Sequence, residues 1–159
     1  MAQQRTITLH TDGACKGNPG PGAWAAILED DEKRLCLAGR VFATTNQEME
    51  LTAVVRGLKI IKGTGARVFL YMDSEYIVRG INEWLPGWKA RGWKKSDKQP
   101  VAHKELWQEL DELLKKHEVI CEWVRGHNGH AGNEAADALA NRALKVGAIR
   151  EQEAIASAG

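Results

Sequence analysis

The hydrophobic period switches along this chain in an order that leaves few folds open. Three alternating segments come first, at about 5–12 (RTITLHTD), 23–29 (AWAAILE) and 34–43 (RLCLAGRVFA). Alternation of this kind marks strands. In the first segment Ile7 and Leu9 point one way, and Thr6, Thr8 and His10 the other. The charged DDEK between the second and third reads as a hairpin turn. From Thr45 the period becomes helical, with Leu51, Val54, Val55, Leu58 and Ile61 on one face up to Lys62. Thr45-x-x-Glu48 has the form of a capping box and Gly63 stops the helix. Residues 66–73, ARVFLYMD, are an apolar strand. Ser74 is the expected N-cap of a helix carrying Ile77, Ile81, Trp84 and Leu85, which Pro86 is expected to end. A polar, basic stretch fills 86–102. An amphipathic helix from His103 to His117, a strand at 118–124 (EVICEWV), the loop RGHNGHAG and a helix at about 133–146 complete the order.

Sequential strands with short links imply an antiparallel meander, and strands separated by helices imply parallel additions through right-handed crossovers. The expected architecture is therefore α/β, a mixed five-stranded sheet flanked by helices. At 159 residues, one domain over 1–147 is expected, followed by a flexible tail at 148–159. Hydrophobic content of 43% and charged content of 27% suit a soluble globular chain. No apolar run approaches the ~18 residues of a membrane span, and MAQQRTIT has no signal-peptide core. Cys15, Cys36 and Cys121 are odd in number and far apart, against a disulfide framework or a cysteine zinc site. A reducing cytoplasm is the expected compartment. The net charge of +1 assigns no nucleic-acid role by itself.

Four acids stand at comparable ends of elements. Asp12 and Asp73 each close a strand; Glu50, in Met49-Glu50-Leu51, and Asp137, between Ala136 and Ala138, each sit near the start of a helix. Taken singly each has an ordinary explanation, since Asp-Gly is turn chemistry and an acid near a helix start complements its dipole. If the two strands are parallel neighbours, their carboxyl ends lie together at the edge where open α/β sheets bind ligands. Crowded carboxylates then take up protons or bind a cation. Oxygen-only ligation suits Mg²⁺ or Mn²⁺, and four acids fit a two-metal phosphoryl-transfer site.

The segments TDGACKGNPGPGAW, TTNQEMEL, MDSEYIVRGINEW, GWKKSDKQPV, ELW and VRGHNGHAGNEAADALA, in this order over about 5–145, resemble type-I ribonuclease H. The resemblance implies the family fold, with sheet order 3-2-1-4-5, and hydrolysis of the RNA strand of RNA–DNA hybrids by a monomer with two Mg²⁺ ions, Mn²⁺ being an alternative. The expected ends are a 5′-phosphate and a 3′-hydroxyl. It matches Asp12, Glu50, Asp73 and Asp137 to the family's metal-binding carboxylates. Asp12 would bridge both ions, Asp137 favour the nucleophile side, and Glu50 and Asp73 the leaving-group side. His127 matches a loop histidine that shuttles a proton or helps expel product. His130 lies three residues on, but no closing ligand set supports a zinc reading of the pair.

Residues 86–98, PGWKARGWKKSDK, set Lys89, Arg91, Lys94, Lys95 and Lys98 against Asp97 alone, beside Trp84, Trp88 and Trp93. A charge run is ordinarily a solvated face, but interleaved tryptophans point to a phosphate-tracking surface. The resemblance makes this stretch the family's basic protrusion, some of its tryptophans being core. Asn18, Asn46 and Gln47 are candidate polar substrate contacts, and Thr45 a hydroxyl for a DNA-strand phosphate as well as a helix cap. Four positions depart from the family pattern: Ala43, Gln47, Glu75 and His103. Glu75 cannot donate to a 2′-hydroxyl, and loss of an arginine at 43 leaves Arg40 as a possible replacement. A non-catalytic hybrid-binding module or another nuclease of the same fold are the alternatives. The first would be expected to lack a carboxylate, and the second the NPGPG loop and the protrusion.

Overall fold

The structure, a computed structural model, describes residues 4–126 and 128–155. Strands β1 (Thr6–Cys15), β2 (Gly20–Glu29) and β3 (Lys33–Thr44) form the meander, and α1 (Asn46–Lys59) crosses over to β4 (Arg67–Met72). There follow α2 (Glu75–Arg79), a π-helical turn (Gly80–Trp84), α3 (Leu85–Ala90), α4 (Lys104–Leu114), β5 (Glu118–Trp123), α5 (Ala131–Val146) and β6 (Ile149–Ala154). The sheet order is β5-β4-β1-β2-β3-β6, with β1, β4 and β5 parallel and the remaining pairs antiparallel. None of the described helices is long and apolar enough to cross a membrane.

The sheet has two unlike faces because β1 alternates. Ile7 and Leu9 join Val68, Leu70, Leu51, Val54, Leu58, Trp107 and Leu110 in a core between the sheet and α1 and α4. On the other face Ala23, Ala25, Ile27 and Ala38 meet Ala136, Leu139, Ala140 and Ala143 of α5. Small side chains on both partners let α5 lie close to the sheet, which matters for the acid that it carries.

Two expectations are corrected here. The sheet has six strands, not five, because the stretch expected to be a frayed tail pairs with β3 from Lys33↔Ala154 to Ala38↔Ile149. IREQEA has only Ile149 and Ala154 as apolar residues and no alternation, so its local sequence carries no strand signal. What makes it a strand is the open edge of β3, a row of unpaired backbone groups ready to template another segment. Gly147, at φ +89, turns the chain back, Ile149 is buried, and Arg142 of α5 pairs with Glu151 at 2.5 Å.

Pro86 also does not end its helix. Helical structure runs on through a π turn, in which Leu85 N–H donates to Gly80 C=O, into α3, where proline occupies a first-turn position needing no N–H. Gly80 makes this possible by sitting directly on Trp107, where a Cβ would clash with the indole ring.

Ending the chain at Val146 should leave the fold intact but remove the Ile149 burial and re-expose the β3 edge. Urea titration should then show a loss of about 2 kcal/mol, the usual worth of one buried aliphatic side chain.

Candidate active site

Asp12 owes its position to the length of β1. The parallel pairing with β4 stops at His10↔Tyr71, so Asp12 and Asp73 follow the last shared rungs and emerge side by side. Asp12 is 6% exposed, and its Oδ1 accepts from the Gly13 N–H at 2.9 Å. Glu50 arrives from the other side, on the second turn of α1. Thr45 caps that helix, its Oγ1 accepting from Glu48 N–H at 3.2 Å, and the Asn18 side-chain oxygen accepts from Asn46 N–H at 3.3 Å. The close approach of α1 to β1 depends on Gly13, where a Cβ would stand 2.5 Å from the Glu50 nitrogen.

Carboxylate oxygens of Asp12, Glu50 and Asp73 all lie within 4.8 Å of one another. The Asp137 carboxyl, on α5, faces that of Asp12 closely enough to raise its pKa. The structure thus brings together all four predicted acids. Burial first, then the charge of Asp73 and of Asp137, pushes Asp12 up to about 8, against the opposing hydrogen bond from Gly13. Glu50 is also raised, chiefly by burial and further by Asp73, while hydrogen bonds from Ser74 and Asn46 oppose the rise. Donors around one Mg²⁺ sit at ~2.1 Å, hence up to about 4.2 Å apart, so this cluster needs little adjustment to hold a hard divalent ion. An all-oxygen donor set excludes the soft-metal alternatives.

Two supporting groups carry no signal in the sequence. The Ser74 hydroxyl was legible only as a cap for α2, a role it keeps by accepting from Ile77 N–H at 3.4 Å, yet it also stands beside the Glu50 carboxylate and tempers the rise of its pKa. Trp123, at the end of β5, donates its indole N–H to the Asp73 carbonyl at 3.1 Å. Asn46, expected at substrate, donates from Nδ2 to Glu50 Oε1 at 3.1 Å. His130 caps α5, its Nδ1 accepting from Asn133 N–H at 3.1 Å, so it is engaged in the helix rather than in a zinc pair. His127 lies outside the described residues.

The basic stretch folds as α3 followed by a narrow turn bridged at Lys94↔Pro100. Its lysines divide. Lys89 is paired at 3.2 Å with Asp111, a buried carboxylate on α4, and Lys95 stands 3.8 Å from Asp97. Arg91 bonds the Lys94 carbonyl at 3.1 Å, and Lys94 is exposed with no ion pair among the described residues. The tryptophans are corrected in part. Trp88 is 5% exposed, its ring edge-on to Trp107 at 5.0 Å, so it is core and unavailable to any ligand. Trp84 and Trp93 are half-buried against the same core, because the π turn curls this segment over α4. Gln47 is half-buried and Asn18 exposed on the rim of the cluster.

A sheet whose carboxyl edge gathers a buried acid and three half-buried ones in this way suits metal-dependent phosphoryl-transfer chemistry. The RNase H family model matches residues 4–145. A ribonuclease H of Cupriavidus pinatubonensis is 54% identical over 138 residues, 87% of this chain and 94% of the relative. One from Albidiferax ferrireducens is 50% identical over 148 residues, 92% and 98% of the two chains. The solved structure of LC9-RNase H1, a type 1 RNase H with the type 2 active-site motif, superposes with a TM-score of 0.82 at 33% identity, covering 95% of this chain and 80% of that one. The fold is also that of LC11-RNase H1 solved with an RNA/DNA hybrid, at a TM-score of 0.67, 23% identity and coverage of 88% and 97%. The chain belongs to the ribonuclease H family, a family of metal-dependent endoribonucleases.

An acid whose pKa is raised by folding destabilises the fold between its unfolded and folded values, here from about 3.8 upward to about 8. In EDTA at pH 7, Asp12→Asn should therefore stabilise the protein by about 1–3 kcal/mol in urea titrations. The advantage should vanish as pH falls towards 4.

Proposed function

We propose that this chain hydrolyses the RNA strand of RNA–DNA hybrids, leaving a 5′-phosphate and a 3′-hydroxyl, with two divalent ions, Mg²⁺ in the first place and Mn²⁺ as the substitute. The observation that carries the reading is the meeting of Asp12, Glu50 and Asp73 within 4.8 Å, with Asp137 beside Asp12. When bound, such ions neutralise the phosphate and the attacking and leaving oxygens of an in-line displacement. Asp12, central among the acids, would share both ions. Asp137 would serve the side from which water attacks, and Glu50 and Asp73 the side of the departing oxygen. Glu50 is held for this task by Asn46 and Ser74. The oxygens are thus gathered before substrate arrives, which lowers the reorganisation needed during the reaction. His127, a residue type that titrates near neutrality, takes up a proton or aids product release.

Hybrid recognition falls on backbone shape and on 2′-hydroxyls in a wide minor groove, with little base preference. Asn18, Gln47 and the outward face of Asn46 line the approach to the acids, and Thr45 offers a hydroxyl to the DNA strand. Lys94, Lys95 and Arg91 on the protrusion supply phosphate contacts, with the exposed edges of Trp84 and Trp93 beside them. The proposed enzyme works as a monomer, since one chain furnishes all four acids, and the cytoplasmic location expected from the sequence remains part of the proposal.

Incubation with Mg²⁺ and RNA–DNA, RNA–RNA, DNA–DNA or single-stranded RNA of one sequence should release RNA fragments only from the hybrid. Cleavage of all four at similar rates would refute the assigned substrate. Asp12→Asn should abolish cleavage while retaining the fold by circular dichroism. In a second experiment, replacing Lys94 and Lys95 with alanine should weaken hybrid binding and lower the slope of log K against log salt by about 2, one unit per lost phosphate contact. An unchanged slope would return these lysines to a solvated face.

A further inference from the structure

Three rings meet beside the acid cluster, and each belongs to an element that carries one of the acids. His10 precedes Asp12 by two residues on β1, Tyr71 precedes Asp73 by two residues at the end of β4, and His130 caps the helix that holds Asp137. Every pair of ring centroids is 5.5 Å apart: His10 stacks on Tyr71 with 21° between planes, and His130 meets His10 at 60° and Tyr71 at 43°. These are favourable offset and edge-on aromatic arrangements. The first turn of α5 sits directly on this group, since Gly132 lies against the His10 imidazole so closely that a Cβ would clash. His10 is 8% exposed, and its Nδ1 has no hydrogen-bond partner among the described residues. An unpaired buried nitrogen costs stability. What His10 presents to Tyr71 and His130 is its flat ring.

We propose that His10, Tyr71 and His130 form an aromatic brace that holds α5, and with it Asp137, against Asp12 and Asp73, and so sets the affinity of the cluster for divalent cations. This rests on the metal-site reading above. The need for a brace follows from how lightly α5 is packed on the sheet. Asp137 reaches the acid cluster only by way of α5, whose packing against β2 and β3 is made largely of alanines, which bury little area apiece. The rings oppose displacement of α5 at the one point where β1, β4 and the start of α5 all meet. All three are positioning residues, acting through the elements that carry the acids.

The test is Mn²⁺ binding to the free protein, followed by electron paramagnetic resonance, alongside the Mg²⁺ dependence of hybrid cleavage. His130→Asn keeps a capping side chain and removes the ring, Tyr71→Ala removes a second ring, and Tyr71→Phe keeps it. The first two should weaken Mn²⁺ binding about tenfold, the lower end of what outer-shell supports contribute. The Mg²⁺ concentration for half-maximal cleavage should rise in parallel, with kcat at saturating Mg²⁺ near that of the parent. Tyr71→Phe should bind as the parent does. If Tyr71→Ala does not fold, His130→Asn decides the matter. Parent-like Mn²⁺ binding by His130→Asn, whatever its melting temperature, would overturn the brace, as would loss of binding in Tyr71→Phe. A parent chain that binds no Mn²⁺ would overturn the metal-site reading itself, and the brace with it.

Discussion

Mutual repulsion among carboxylates at one edge of the sheet is the constraint around which the rest of this molecule is arranged. Asp12, buried and facing Asp73 and Asp137, is pushed up to about 8. A cluster in that condition opposes folding at neutral pH unless a cation is present. The surrounding architecture must hold the acids together against their charge. It does so with Gly13 under α1, with Ser74 and Asn46 on Glu50, with Trp123 on the Asp73 backbone, and with the ring group under α5. The stability given up at the site is supplied by the two cores on either side of the sheet.

That division explains why the sheet faces differ. The α1 and α4 side is filled by large aliphatic side chains and Trp107, and provides most of the buried apolar surface. The α5 side is lined mainly by alanine. Small residues bury less area but permit close approach, and close approach is what puts Asp137 beside Asp12. The protrusion follows similar logic. Its tryptophans pack inward on Trp107 and Asp111 anchors Lys89, which leaves the lysines at the turn as the outward-facing charge.

Much of this was legible in the chain. Strict alternation specifies β1 because a period of two is unambiguous, and β4 reads as a strand because its apolar run is too short for a helix and is flanked by turn residues. The Thr45 capping box and the Ser74 cap locate two helix starts, since unpaired N–H groups at a helix start need side-chain acceptors. The four acids could be singled out because each was expected at the end of a strand or near the start of a helix. In fact β1 runs past Asp12 to Cys15 in its pairing with β2. The rest was hidden for identifiable reasons. Ile149–Ala154 has no strand pattern of its own and is ordered by the β3 edge. Pro86 reads as a stop signal, yet a π turn seated on Trp107 places it where its missing N–H is harmless. Trp88, adjacent to lysines in the chain, looked like a ligand contact until the packing turned it inward.

The sequence alone determined which residue types stand at element ends, and hence that oxygen-rich metal chemistry was available to this chain. Only the tertiary structure decided that carboxyl groups from positions 12, 50, 73 and 137 share one small volume, and that Ser74, Trp123, His10, Tyr71 and His130 support them. Local sequence sets backbone preference over a few residues, through sterics and near-neighbour hydrogen bonds. Contact between residues scores of positions apart depends on strand register and helix packing, which the whole core fixes at once.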